Sequence, residues 1–148
     1  MEIKSIGDTI KLYNKNLHMW LSETSTAYGG GAPELSDRFV AGFLWLDKLG
    51  YSAKAGVNVV TRQSFYGGDY AMIGSDITPN PDWWVSVIYK EFVSEKVLKL
   101  MPDENCDYVR LYAHCTPVKV LINRVPAITI YGMNLDKQPV RVKIQGLF

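Results

Sequence analysis

Cysteine and long apolar runs are both scarce in this sequence of 148 residues. The two cysteines, Cys106 and Cys115, are too few for the disulfide framework of a small secreted domain, although a local bridge between them stays open. No stretch approaches the roughly 20 apolar residues of a membrane span, so we expect none. The first 20 residues show no apolar core with a cleavage site. We therefore expect no signal peptide there, and the chain as written is expected to be made in the cytosol.

An excess of charge of one sign is also missing. The formal net charge is +1, and the charged residues are spread along the chain. A nucleic-acid-binding protein normally shows a concentrated basic face, so we expect no nucleic-acid partner. The two histidines, His18 and His114, lie on predicted strands without partners at metal-ligand spacing, so we expect neither a metal site nor a cofactor and interpret both as structural.

A strand, a loop and a helix are predicted for the first part of the chain. The bulky apolar run at 17–21 is typical of a buried strand, which would end just before Glu23. A helix is expected from Ser36 or Asp37, with apolar residues at helical spacing and Gly50 as its C-terminal stop. The same unit then repeats, because β-branched residues at 57–60 predict a second strand that ends at Arg62.

A second helix is predicted from about Pro81 to Leu98, and beyond it the hydrophobic period changes to two. Alternation at 109–115, at 128–130 and at 140–144 predicts antiparallel strands. The order is therefore α/β followed by β, with residues 1–101 as one part and 102–148 as the beginning of a β-sandwich. Two βα units alone leave two sheet edges and an uncovered apolar face, which indicates that the fold is incomplete.

Glu23 is a candidate catalytic carboxylate. In a (β/α) barrel the catalytic groups follow the C-terminal ends of strands, although a carboxylate in this position is more often a solvated residue or a helix cap. The glycine run at 29–31 lacks the Lys-Ser/Thr of a phosphate loop, and it fits either close approach of a ligand to the backbone or a flexible turn. Aromatic residues gather near the predicted strand ends and could form either sugar-binding walls or ordinary core: Trp20, Tyr28, Phe65, Tyr66 and Tyr70.

The segment WLSETSTAYGGGAP at 20–33 continues through LSDRF at 35–39 and AGFLWLDKLG at 41–50. With VVTRQ at 59–63, the loop at 65–70, PDWW at 81–84 and LYAHCT at 111–116, it resembles the heparanase-type glycoside hydrolases over most of the chain. The resemblance thins near 128–135. It implies a retaining endo-β-glucuronidase with a TIM barrel, of which the last two βα units are present, and an incomplete C-terminal β-sandwich.

The resemblance also implies roles for particular residues. Glu23 would be the nucleophile, and the saccharide contacts would come from two loops and a strand end: Tyr28, Gly29, Gly30, Gly68, Asp69, Tyr70 and Gln63. The family takes its acid/base from an Asn-Glu-Pro segment, which this sequence does not contain. Four other glutamates are poorly placed to serve as the acid/base: Glu34, Glu91, Glu95 and Glu104.

Three departures from the family pattern affect these expectations. Ser22 stands where the family has glycine before the nucleophile, and the loop around Gly67–Gly68 is one residue short. Cys115 resembles a family cysteine whose partner lies near the C terminus, and this chain ends at Phe148 before such a partner. We therefore expect Cys115 to be free or mispaired.

The resulting hypothesis is a fragment of a heparanase-like enzyme that is inactive alone because its acid/base is absent. Heparan sulfate or a related acidic glycan would be its partner, together with the missing N-terminal part of the barrel. The family resemblance implies a lysosomal or secreted, extracellular-matrix location. The alternative is a non-catalytic heparan-sulfate-binding or regulatory module.

Overall fold

The computed structural model describes residues 2–13, 16–101 and 108–146. Helices and strands alternate in its first part and strands follow, as the sequence predicts. In chain order the elements are α1 Glu2–Tyr13, β1 Trp20–Thr24, α2 Phe39–Lys54, β2 Val59–Arg62, α3 Pro81–Phe92, β3 Val97–Leu98, β4 Val109–Cys115 and β5 Ile128–Asn134.

Two small sheets organise these elements. Strands β1 and β2 pair in parallel, and β3, β4 and β5 form an antiparallel sheet in that order. The mixed α/β and antiparallel composition agrees with the predicted fold class. Its assignment to a barrel and a sandwich, and the division near Met101, stay predictions. The antiparallel sheet already begins with β3, which lies before Met101.

Several boundaries differ from the predicted ones. Strand β1 begins at Trp20 rather than at residue 17 and includes Glu23. Helix α2 begins at Phe39, because the hydroxyl of Ser36 is buried in the preceding loop, where it accepts hydrogen bonds from the amide of Ala32 and the hydroxyl of Thr26. Helix α3 ends at Phe92, and residues 97–98 join the antiparallel sheet instead.

The predicted strand at 140–144 is wrong. The structure has no strand there, and the apolar side chains of Val140, Val142 and Ile144 are exposed. Alternation alone cannot hold a strand that finds no partner among the described residues. Conversely, the sequence interpretation missed helix α1, although Ile3, Ile6 and Ile10 recur at helical spacing.

Gly50 lies inside helix α2 and does not end it. A Cβ atom at this position would lie 2.3 Å from Cδ2 of Tyr112, so the ring of Tyr112 occupies the space that a side chain would need. The hydroxyl of Tyr112 donates to Oδ1 of Asp47 on the same helix at 2.6 Å. Burial, and then the Asp47 carboxylate, raise the pKa of Tyr112. Close packing on β4 therefore explains this glycine.

His114 has a structural environment, as the sequence predicts. It is 2% exposed, Nδ1 lies 2.7 Å from the carbonyl oxygen of Ser94, and Nε2 lies 3.2 Å from the hydroxyl of Tyr131. Both ring nitrogens are thereby satisfied, which a buried imidazole requires. Within the described ranges, no group of three or more His, Cys, Asp or Glu residues could hold a metal ion.

Two further expectations concern cysteines and membranes. Cys115 forms no disulfide with a residue of the described part of the chain, and Cys106 lies outside that part. None of the helices described is long and apolar enough to cross a membrane.

We expect Gly50→Ala to lower the free energy of unfolding by about 1–3 kcal/mol, because the added methyl group collides with the ring of Tyr112. Urea unfolding monitored by circular dichroism measures this change. Gly7→Ala is the matched control in helix α1, where a Cβ atom would make only ordinary contacts, with Cε of Met19 at 3.7 Å and the carbonyl oxygen of Ala55 at 3.9 Å. An unfolding free energy as high for Gly50→Ala as for Gly7→Ala would contradict the packing explanation.

Candidate active site

The candidate site lies where the parallel strands β1 and β2 end. Thr24 pairs with Arg62 in the register of the two strands, and the amide of Gln63 donates to the carbonyl oxygen of Thr24 at 2.9 Å. Because parallel strands end at the same edge of a sheet, Glu23 and Gln63 are brought together there. This edge is the region in which open α/β sheets and (β/α) barrels place their ligands.

A β-bulge precedes this edge. Between the pairs Leu21–Val60 and Thr24–Arg62, strand β1 advances by three residues while β2 advances by two. The extra residue falls in the segment Ser22–Glu23. A bulge of this kind interrupts the alternation of side chains and turns a side chain away from its regular direction. Glu23 therefore lies at a local irregularity of the sheet.

A cleft of about 520 Å³ opens beside this strand end. Its lining comes from the end of β1, the loop that follows and the β2 side: Glu23, Thr24, Ser25, Thr26, Ala27, Tyr28, Gly29, Gln63 and Tyr70. Five of the eight residues proposed from sequence are in this group. The tyrosine at its rim, Tyr28, is 96% exposed, so its ring is available to a ligand.

Two glycines of the predicted site shape the loops and do not line the cleft. A Cβ atom on Gly68 would lie 2.7 Å from the carbonyl oxygen of Gly30, so only glycine allows these two loops to cross so closely. The same carbonyl of Gly30 accepts a hydrogen bond from the amide of Tyr70 at 3.1 Å. Asp69 is exposed and is absent from the cleft lining.

Tyr70 and Gln63 are joined directly across the cleft wall. The side-chain amide of Gln63 donates to the hydroxyl oxygen of Tyr70 at 3.0 Å. This contact fixes the direction of two polar groups that could meet the hydroxyl groups of a sugar. Of the aromatic residues singled out from sequence, Tyr28 and Tyr70 line the cleft, and Trp20, Phe65 and Tyr66 do not.

The guanidinium group of Arg62 connects the parts of this edge. It donates to Ser25 Oγ at 2.5 Å, to the carbonyl oxygen of Tyr70 at 2.7 Å and to the carbonyl oxygen of Gln63. It also forms an ion pair with Asp82, 2.5 Å between Nη2 and Oδ2, in which both side chains are almost fully buried. The sequence interpretation placed Arg62 only at a strand end, although an arginine at the end of an apolar strand needs a partner for its charge.

Further interactions stabilise the buried ion pair between Arg62 and Asp82. The centre of the Arg62 guanidinium lies 5.2 Å from the ring of Trp45, a cation–π arrangement. Burial raises the pKa of Asp82, and the hydrogen bond and charge of Arg62 oppose that shift. A buried carboxylate without a cationic partner is costly, so Asp82 depends on Arg62 for its charged form.

Lys48 of helix α2 contacts the same edge of the sheet. Its ammonium group donates to Thr24 Oγ1 at 2.8 Å and to the carbonyl oxygen of Ser25. Burial lowers the pKa of Lys48, and the charge of Arg62 lowers it further. The sequence interpretation missed this lysine, because its position on a helix gave no sign that it faces a strand end.

A single carboxylate, that of Glu23, is found among the described residues that line the cleft. Glu34 lies in an exposed loop, Glu91 forms an ion pair with Lys119 at 2.6 Å, and Glu95 is exposed. Glu104 lies outside the described residues. The cleft thus offers one acid group, two tyrosines and an amide.

Comparison with known proteins bears on this arrangement. The family model described as "Glycosyl hydrolase family 79, N-terminal domain" matches residues 1–50. The chain is 42% identical over 148 residues to the heparanase of Rattus norvegicus, which covers 97% of this chain and 27% of that protein. It is 36% identical over 136 residues to the hyaluronoglucuronidase of Hirudo nipponia, covering 88% of this chain and 28% of that protein.

A third relative carries a name that marks it as inactive. The chain is 33% identical over 156 residues to the inactive heparanase-2 of Homo sapiens, covering 98% of this chain and 26% of that protein. The resemblance to heparanases that the sequence indicates is confirmed over most of the chain. The chain spans about a quarter of the length of the curated relatives it matches.

We expect Arg62→Met to lower the free energy of unfolding by about 3–5 kcal/mol, because the buried carboxylate of Asp82 then loses its cationic partner. The double variant Arg62→Met/Asp82→Leu should recover roughly 1–3 kcal/mol of that loss, since it removes the stranded charge as well. Urea unfolding of the two single variants and the double variant completes the cycle. Strictly additive losses would show that the pair is not coupled.

Proposed function

We propose that this chain, which is homologous to heparanases over most of its length, supplies the nucleophile of a retaining glycoside hydrolase. Its substrate would be a β-glucuronidic linkage in heparan sulfate or a related glycosaminoglycan, in agreement with the names of the heparanase and hyaluronoglucuronidase relatives. The observation that carries this proposal is the position of Glu23, in a cleft at the shared C-terminal edge of two parallel strands.

In the proposed reaction the carboxylate of Glu23 attacks the anomeric carbon of the glucuronic acid. The bond from that carbon to the leaving oxygen breaks, and a glycosyl ester forms on Glu23. A second carboxylic acid protonates the leaving oxygen and later takes a proton from the water that hydrolyses the ester. In retaining enzymes the two carboxyl groups lie about 5–5.5 Å apart, so both must face the same cleft.

The second carboxylic acid comes, in this proposal, from polypeptide outside these 148 residues. The described lining of the cleft contains Glu23 as its one carboxylate, and the sequence has no Asn-Glu-Pro segment. Loss of general acid–base help typically costs about a hundred- to ten-thousand-fold in rate. The chain alone is therefore expected to turn over natural glycans very slowly or not at all, and its natural partner is the rest of a TIM barrel.

The saccharide contacts follow from the cleft wall. Tyr28 and Tyr70 present aromatic faces that suit the C–H faces of sugar rings, and Gln63 offers an amide. Gly29 and Gly30 allow a sugar to approach main-chain amides. Gly68 and Asp69 belong to the neighbouring loop, which crosses the glycine run at Gly30. We propose them as further saccharide contacts at the border of the cleft.

A non-catalytic glycan-binding or regulatory module is the second candidate function. A relative that is named inactive heparanase-2 aligns with 98% of this chain, which favours keeping this alternative. Such a module would bind an acidic glycan without turnover, and its binding would weaken as salt rises.

We also propose a lysosomal or extracellular-matrix location for the whole protein, and a division into barrel and sandwich parts near Met101.

An aryl glucuronide with a very acidic phenol tests the mechanism, because such a leaving group departs without protonation. We expect the chain to release dinitrophenol from dinitrophenyl β-glucuronide, with a rate that rises on addition of azide. Azide attacks the glycosyl ester without base assistance, and the product should be the β-glucuronyl azide, which retains the configuration. Absorbance follows the phenol, and proton NMR identifies the azide.

Glu23→Gln should abolish formation of the β-glucuronyl azide, while Glu34→Gln, a neutralised glutamate in the exposed loop, should leave it intact. β-Glucuronyl azide that still forms in Glu23→Gln would rule out Glu23 as the nucleophile. An α-configured azide from the original chain would indicate an inverting reaction instead. Saturable heparan sulfate binding with no release from the aryl glucuronide would favour the non-catalytic module.

Tyr28→Ala should weaken the binding of a heparan sulfate oligosaccharide by roughly two- to tenfold, because an aromatic face contributes about 0.5–1.5 kcal/mol. Isothermal titration calorimetry at fixed salt measures the effect. Tyr66→Ala removes an exposed aromatic ring that lies outside the cleft lining and should change the affinity by less than the Tyr28 variant. Equal effects of the two variants would contradict the proposed cleft wall.

A further inference from the structure

Because of the bulge in strand β1, the regular pairing with β2 does not fix the position of Glu23. Regular hydrogen bonds between β1 and β2 define the chain up to Leu21 and again at Thr24, and the segment between them is irregular. A nucleophile must be held within a fraction of an ångström of its productive position. Contacts from other elements are therefore needed on the residues that adjoin Glu23.

Lys48 provides contacts of this kind. Its ammonium group donates to the side chain of Thr24 and to the main-chain carbonyl of Ser25, the two residues that directly follow Glu23. Because it holds a side chain and a carbonyl at once, it restricts both the position and the rotation of this part of the backbone. Lys48 lies in the interior of α2, a helix that packs against α3 and the antiparallel sheet.

Arg62 also contacts this segment, through Ser25. Its Nη1 atom donates to Ser25 Oγ and to the carbonyl oxygen of Gln63, while Nη2 donates to the carbonyl oxygen of Tyr70 and to Asp82 Oδ2. The charge of Arg62 is balanced by Asp82, and substitution of Arg62 would disturb several loops together. Lys48 differs, because no ion pair within the described ranges includes it.

The ammonium group of Lys48 is partly buried and forms no ion pair in the described part of the chain, although the more distant charge of Asp82 favours its charged form. Burial lowers the pKa of Lys48, so the charged form is held there against a desolvation cost. A long exposed surface lysine would avoid this cost. In the described part of the chain, the hydrogen bonds of the Lys48 ammonium group go to the segment after Glu23, so the position of Lys48 serves that segment.

We propose that Lys48 is a positioning residue for Glu23. It fixes the bulged end of β1 by holding Thr24 and Ser25, and thereby sets the distance and angle at which the Glu23 carboxylate meets the anomeric carbon. This inference rests on the proposed function for its chemical consequence. The mechanical part, that Lys48 immobilises residues 22–26, is independent of the reaction.

The test uses 2-deoxy-2-fluoro-β-glucuronyl fluoride, which a retaining nucleophile converts to a long-lived glycosyl ester with release of fluoride. Intact-mass measurements over time give the maximal labelling rate kinact and the half-saturating concentration KI. Lys48→Met keeps the length of the side chain and removes its donors. We expect kinact to fall by roughly ten- to a hundredfold, since a displacement of about 1 Å can cost a hundredfold, with KI changed by less than about twofold.

Two further variants separate positioning from general stability. Lys48→Arg retains the charge and the donors and should restore kinact to within about threefold of the original chain. Lys54→Met is the matched control, because it removes an exposed lysine from the last turn of the same helix. Hydrogen exchange followed by mass spectrometry should show faster exchange at residues 22–26 in Lys48→Met, with the rest of the chain unchanged.

Unchanged kinact in Lys48→Met, or faster exchange throughout the chain, would overturn the proposal. If the original chain is not labelled at all, the proposed function fails, and the exchange data then decide the mechanical claim. In that case locally faster exchange at residues 22–26 in Lys48→Met supports the immobilisation of this segment by Lys48, and exchange equal to that of Lys54→Met overturns it.

Discussion

The buried ion pair between Arg62 and Asp82 is the interaction on which the rest of the site depends. Arg62 ends strand β2, and Asp82 stands in the first turn of helix α3, so the pair ties the sheet edge to the helix that follows. The Nη1 and Nη2 atoms of the same guanidinium also donate to Ser25 after β1 and to the carbonyl groups of Gln63 and Tyr70. One buried cation thus organises both loops of the cleft, because a guanidinium presents five donors in a fixed plane.

The chemistry builds on this arrangement. A parallel strand pair brings Glu23 and Gln63 to one edge, and the crossing of the glycine loops places Tyr28 and Tyr70 beside them. In the proposed function Glu23 serves as the nucleophile and the two tyrosines as a sugar-binding wall, and the described residues of the lining contain no second carboxylic acid. The exposed apolar side chains of α2 and α3, such as Phe39, Leu44 and Trp84, agree with elements that pack against further polypeptide in a larger fold.

Local signals in the sequence predict much of the fold and part of the cleft lining. The β-branched runs, the change of period after α3 and the family-like segment around Glu23 gave the two sheets and five residues of the cleft lining. Side-chain contacts between distant segments were not accessible in the same way. Gly50 looked like a helix stop, but it makes room for Tyr112, and Ser36 looked like a helix cap, but its hydroxyl is used within the loop. Alternation at 140–144 predicted a strand, because hydrophobic period says nothing about whether a partner strand is present.

The proposed chemistry rests on Glu23 acting as a nucleophile at the end of a parallel strand pair. The most direct measurement is to trap the chain with 2-deoxy-2-fluoro-β-glucuronyl fluoride, digest it with a protease and locate the sugar by tandem mass spectrometry. The account predicts one adduct, an ester on Glu23 in the peptide that contains residues 20–27. An adduct on another residue, or none on a chain that circular dichroism shows to be folded, would contradict it.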